Sequence, residues 1–206
     1  MISRVEITEI KNTRSSDEVI VCFEGGSFRL PRDMALLYDL KPQRKIDIED
    51  LEAIRLEGAQ RLALFRGARL ASNKQMSRKE LEDKLVSKGE EREHAQAAVD
   101  RLEELGAVND LEYAKNVVRS YCARGYGKGR IIQEFRHRGI PRELWEEALE
   151  GLSEPREAID KFLRSHLRDA QDEKNRKRCA DALYRRGFEW DDIRSGLRRA
   201  SAGEEY

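Results

Sequence analysis

Ser77-Arg78-Lys79-Glu80-Leu81-Glu82-Asp83-Lys84-Leu85-Val86-Ser87-Lys88-Gly89 is the stretch that decides the fold, because its pattern returns twice. Gly129–Gly139 reads GRIIQEFRHRG, and Asn175–Gly187 reads NRKRCADALYRRG. Each copy ends on a basic residue and a glycine: Lys88-Gly89, Arg138-Gly139 and Arg186-Gly187. Eight positions before each glycine stands Leu81, Ile131 or Cys179, and four before it Leu85, Phe135 or Leu183. Ten positions after it stands Val99, Leu149 or Leu197. Apolar residues four apart share a helix face, and a glycine after a basic residue is a helix stop. A unit recurring at about this period is a stacked supersecondary element.

Around these copies the chain reads as helix from Asp47 almost to its end. Ser77 with Glu80 forms a capping box. Ile54, Ala59, Leu62, Ala63, Phe65 and Leu70 mark a first helix running to about Ala71, and Ala95, Val99, Leu102 and Leu105 mark a third, ending at Gly106. The second unit repeats the order. Asn109 or Asp110 caps a helix carrying Tyr113, Ala114, Val117 and Tyr121. Gly125, Gly127 and Gly129 break it, and Pro141 opens a helix with Leu144, Trp145, Ala148, Leu149 and Leu152 inward. In the third unit Ile159, Phe162, Leu163 and Leu167 precede the Asn175–Arg186 helix, and Trp190, Ile193 and Leu197 follow it. Both tryptophans are expected to anchor packing between units. Residues 199–206 read as a frayed tail.

Residues 1–46 read differently. Val5, Ile7 and Ile10, then Val19–Phe23, are β-prone, Glu24-Gly25-Gly26-Ser27 is a hairpin turn, and Phe28-Arg29-Leu30 starts the return strand. Pro31 opens a helical turn through Met34, Leu37 and Leu40. So few strands are marginal alone, so this module must pack on a helix. The expected fold is mainly α: an N-terminal β-hairpin module (1–46), three tandem three-helix repeats (47–107, 108–153 and 154–200) in an elongated, curved array, and a tail (201–206). Capping of the first repeat is the default role of the module.

The chain has 206 residues, with 40 Lys plus Arg against 40 Asp plus Glu, so net charge gives no global case for nucleic acid. Three separated cysteines, Cys22, Cys122 and Cys179, fit free thiols in a reducing cytoplasm. No apolar run reaches the roughly 20 residues of a membrane span, and the N-terminus has no signal-like apolar core. His94, His137 and His166 have no ligand spacing, so no metal is expected, and no cofactor or catalytic constellation is legible.

Locally the charge is uneven. Lys115, Arg119, Arg124, Lys128, Arg130, Arg136 and Arg138 face only Glu134 in their stretch, and Lys177, Arg178 and Arg185 lie in a second basic stretch. Helix dipoles account for Lys88, Arg138 and Arg186 at helix ends, but not for Lys115–Lys128. We read these ten residues as partner- or DNA-binding, since clustered cations mark anion-binding surfaces. Arg124–Arg130 is a tight turn or a phosphate-cradling loop; it lacks Walker spacing, and the turn is the safer reading.

The stretches Asn109–Ala114, Val117–Ser120, Arg124-Gly125 and Gly129–Ile140 resemble the RecX family of recombinase regulators: aspartate, two residues, aromatic-alanine; arginine-serine; a glycine loop; then R-I-x-x-E-[L or F]-x-x-[K or R]-G-I. Ser77–Gly89 and Val99–Gly106 are similar to the family's first repeat. The resemblance implies a regulator and not an enzyme: a monomer that attaches to the RecA filament in its helical groove and suppresses ATPase and strand exchange in recombination and SOS repair. It leaves open a single- or double-stranded DNA contact, and a module that competes for single strands is the alternative.

Overall fold

The computed structural model describes residues 4–202. The fold is mainly helical, with one small antiparallel sheet. It divides into two compact units: residues up to Gln75 with Leu81–Val108, and Met76–Glu80 with the residues from Asn109 on.

In the first unit, β1 (Arg4–Asn12), β2 (Glu18–Phe23) and β3 (Gly26–Pro31) form the expected hairpin system. Gly25, at φ +108°, turns β2 into β3. A fourth strand, β4 (Lys45–Asp47), completes the order β3-β2-β1-β4 by pairing Val5 with Ile46. One sheet face carries Ile7, Val19, Val21 and Leu30 and packs on Leu51 and Ile54 of helix α2 (Ile48–Asn73), so the module does rest on a helix. Gly58 makes this approach possible: a Cβ there would fall 2.2 Å from the buried Leu30 Cδ1.

Between β3 and β4, α1 (Arg32–Leu37) buries Met34, and Leu40 beyond it is also buried. Leu37 of α1 is exposed, as is Phe65 of α2. Arg66 of α2 binds Glu18 of β2 at 3.0 Å and also Glu90. Burial opposes its charge, but the two carboxylates outweigh burial and raise its pKa.

α3 (Arg78–Ser87) and α4 (Arg92–Glu104) follow. The capping box at α3 is formed: Ser77 N–H donates to Glu80 Oε2 at 3.0 Å, and Glu80 N–H to Ser77 Oγ at 3.1 Å. Gly67 lets α2 close on α4, since a Cβ there would lie 2.8 Å from Leu102 Cδ1.

The second unit carries α5 (Asp110–Ala123), α6 (Lys128–His137), α7 (Trp145–Leu149), α8 (Pro155–His166), α9 (Glu173–Arg185) and α10 (Trp190–Ala202). Asn109 is the α5 cap, accepting from Glu112 N–H at 3.0 Å. The helix expected after Pro141 is shorter than foreseen, a 3-10 turn (Arg142–Leu144) running into five-residue α7. The expected tail is helical as far as Ala202, and residues 203–206 lie outside the described part.

Both tryptophans make contacts within their own repeats. Trp145 tilts on Phe135 at 6.0 Å and donates to the Ile140 carbonyl at 3.0 Å. Trp190 is exposed and stacks on Tyr184 at 5.1 Å. The three cysteines are unpaired, and burial pushes the Cys179 thiol pKa up.

Candidate functional site

The basic-glycine steps are more than helix stops. Gly139, at φ +64°, sits so close to the start of α3 that a Cβ would come within 2.2 Å of Lys79 Cδ. The preceding carbonyl, of Arg138, accepts from Ser77 Oγ. At the next step Gly127 N–H donates to the Arg186 carbonyl and Gly129 N–H to the Gly187 carbonyl, both at 2.9 Å. In both cases the step of one repeat docks on the start of the preceding repeat's second helix. The Arg124–Arg130 segment is therefore a turn, and two of its amides are engaged by backbone and cannot cradle a phosphate.

Arg138 belongs to this joint. Its Nε donates to Glu134 at 2.7 Å, its Nη1 lies 3.4 Å from Glu80, and it also donates to the Tyr113 hydroxyl. It is half-buried, so its charge is held inside the protein and not offered to a partner. Burial, then the Glu80 carboxylate, pushes the Tyr113 pKa up to about 12. Burial alone would raise the Glu134 carboxyl, but the Tyr121 hydroxyl and Arg138 hold it below its usual range.

Two results follow. Arg138→Met leaves Glu80 and Glu134 without their cation and is expected to cost about 2 kcal/mol, less than a fully buried pair because the network meets solvent; chemical denaturation reads this directly. Tyr113 ionises more easily unfolded, near pH 10, than folded. Its contribution is thus whole below pH 10 and is lost as pH rises through about 12. Tyrosinate absorbance and helicity followed together should show the second unit opening in that window.

The other expected residues spread over the surface. Lys115 pairs with Glu147 at 3.0 Å and Glu112 at 3.8 Å, so its charge is largely matched. Arg119, exposed, donates to Asn116, and Arg130 to Gln133 at 3.1 Å. Arg130 and Arg136 stand about 120° apart around α6, at about 100° per residue, so α6 does not present one row. Arg136 lies over the Trp145 ring at 5.6 Å. Lys128 is exposed at the start of α6. On α9, by contrast, Lys174, Lys177, Arg178 and Arg185 are all exposed opposite buried Cys179, Ala180 and Leu183, with Asp181 among them. The α9 cations form a true row.

A feature that sequence reading missed joins the second and third repeats. Arg124 lies over Tyr121 (5.2 Å) and Tyr126 (5.1 Å). Arg186 lies over Tyr126 (5.7 Å) and Phe162 (5.0 Å). Phe162 stacks on His166 at 4.1 Å and 7°. Cations and rings thus alternate in a ladder from α5 to α8. It borders a cleft of about 600 Å³ that Lys128 and Lys161 also line. Arg186 looked like a helix-end charge, and Phe162 and His166 lie too far along the chain for spacing to connect them. Among the described residues no group of three or more His, Cys, Asp or Glu is placed to hold a metal, and no helix is long and apolar enough to cross a membrane.

Residues 109–149 match the family model for the second three-helix domain of RecX, and residues 156–197 that for the third. The chain is 36% identical over 132 residues to regulatory protein RecX of Stenotrophomonas maltophilia (strain R551-3), covering 63% of this chain and 81% of that one. It is 34% identical over 154 residues to the Chlorobaculum tepidum protein of the same name, covering 72% and 94%. Its fold is similar to a crystal structure of regulatory protein RecX (TM-score 0.68, 18% identity, 97% of this chain and 100% of that one). It is also similar to RecX from Lactobacillus salivarius (TM-score 0.62, 21% identity, 70% and 97%).

Proposed function

Since this chain belongs to the RecX family of regulatory proteins, we propose that it binds the RecA recombinase filament in its helical groove and suppresses ATPase and strand exchange. It does so as a cytoplasmic monomer, without cofactor or catalysis of its own. The observation that carries this reading is the joint between the second and third repeats. Gly127 and Gly129 bind the Arg186-Gly187 step, so the exposed cations of α6 and α9 sit on one body. Two cationic surfaces held in fixed relation can engage neighbouring subunits of a polymer together, and simultaneous engagement favours polymer over free subunit.

Titrating the protein into a recombinase–single-strand reaction tests this. Half-inhibition of ATP hydrolysis and strand exchange is expected at or below one molecule per recombinase subunit. A folded sample that leaves both rates unchanged overturns the proposal.

Direct contact with the DNA in the filament is a second reading, supported by the ladder of guanidinium groups and rings. It predicts binding whose log affinity falls linearly with log salt.

A further inference from the structure

We infer that the cleft between the second and third repeats is a binding site for one nucleotide of single-stranded DNA, with the base stacked on His166 and the flanking phosphates on Arg124, Lys161 and Arg186. The inference rests on the DNA-contact reading above and adds to it a place and a geometry.

The ladder makes two things available at the cleft wall. Arginines held over aromatic rings are fixed in place while N–H groups not engaged by protein can meet an oxyanion. Arg186 gives Nη1 to the carbonyls of Arg124 and Gly125, at 3.4 and 3.3 Å, which leaves Nη2 for a ligand. Arg124 is exposed over its two tyrosines.

The ladder also ends on an oriented ring. His166 bonds the Phe162 carbonyl through Nδ1 at 2.8 Å and lies parallel to the Phe162 ring, and it is exposed. One of its faces is on Phe162, so a base added to the other extends the stack. Bases splayed from a single strand are taken up on aromatic, histidine and guanidinium planes.

The charges of the cleft are distributed along α8. Glu154 and Glu157 stand at its N-terminal end, where the helix dipole favours them. Lys161 and His166 lie toward the other end, near Arg186 and Phe162. Arg124 and Lys128 also line the cleft, as do Glu189 and Asp192 at the start of α10. A cleft of about 600 Å³ holds one nucleotide but not a duplex.

The test uses the full chain with a fluorescent oligo(dT), an abasic oligonucleotide of equal length, and oligo(dT) carrying 4-thiothymidine for photo-crosslinking. Oligo(dT) should bind more tightly than the abasic strand, and crosslinks should map to the cleft residues around His166. His166→Ala should weaken oligo(dT) binding by roughly tenfold with little change for the abasic strand, and His166→Phe should restore it, as stacking requires. His166 is exposed at a helix end, so neither variant endangers the fold. Equal affinity for both strands, or crosslinks confined to α9, overturns the cleft while leaving DNA contact standing. Absence of all DNA binding with inhibition intact overturns the DNA reading and the cleft with it. Crosslinking to the cleft by a recombinase peptide in place of the strand also overturns it, as a protein site.

Discussion

Gly187→Ala will open the joint between the second and third repeats, at a cost of about 3 kcal/mol or more. Gly187 has φ +89°, where a Cβ costs roughly 1–2 kcal/mol by itself. The added carbon would also stand 2.2 Å from the backbone nitrogen of Arg130. Backbone cannot rotate aside as a side-chain tip can, so the two repeats must separate. The hydrogen bonds from Gly127 and Gly129 to the Arg186 and Gly187 carbonyls then stretch or break.

Gly89→Ala is the matched control. Gly89 holds the same place in the first repeat at φ +96°, but a Cβ there meets nothing within 4 Å. It should lose only the left-handed cost, about 1 kcal/mol. Thermal unfolding of both variants, with hydrogen exchange at Gly127 and Gly129, separates the two effects. Equal losses would mean that the step serves only as a helix stop.

Reversing Lys177, Arg178 and Arg185 to glutamate together should raise the amount needed for half-inhibition of the recombinase by roughly tenfold to a hundredfold. A charge at a contact surface contributes about 1 kcal/mol, and each 1.4 kcal/mol is tenfold. The fold should tolerate this, because all three side chains are exposed on one α9 face opposite its apolar contacts. The melting temperature should move by no more than about 2 °C. The contrast is Arg138→Met, which would weaken inhibition only through lost stability. Unchanged inhibition by the triple variant would remove α9 from the contact surface. Lost inhibition with oligo(dT) binding preserved would assign α9 to the recombinase and leave DNA to another face.

Much of the fold is legible in local pattern. The Ser77/Glu80 capping box, the Asn109 cap and the left-handed glycines at 89, 139 and 187 each follow from a few neighbouring residues. β4 was not legible, because Lys45-Ile46-Asp47 has one apolar residue and exists through its pairing with β1, some forty positions away. The exposure of Phe65 was not legible either, because apolar spacing finds a stripe but not its edge, which neighbouring elements set.

The candidate site divides in the same way. The α9 row could be read from spacing, since one helix carries it whole. Arg138 could not be sorted from its neighbours by charge alone. Its partners Glu80 and Tyr113 come from 58 and 25 positions away, and they turn a candidate contact into a structural cation.

The sequence by itself determined the repeat, its helix stops and the stretches where cations gather, because caps, turns and charge density are properties of a few adjacent residues. Only the tertiary structure decided what the basic-glycine steps do. A step becomes a joint when its carbonyl meets an amide or hydroxyl from the preceding repeat, and an arginine becomes a ladder rung when rings from two repeats close on it. Those are long-range contacts, made by packing between repeats and written in no single one of them.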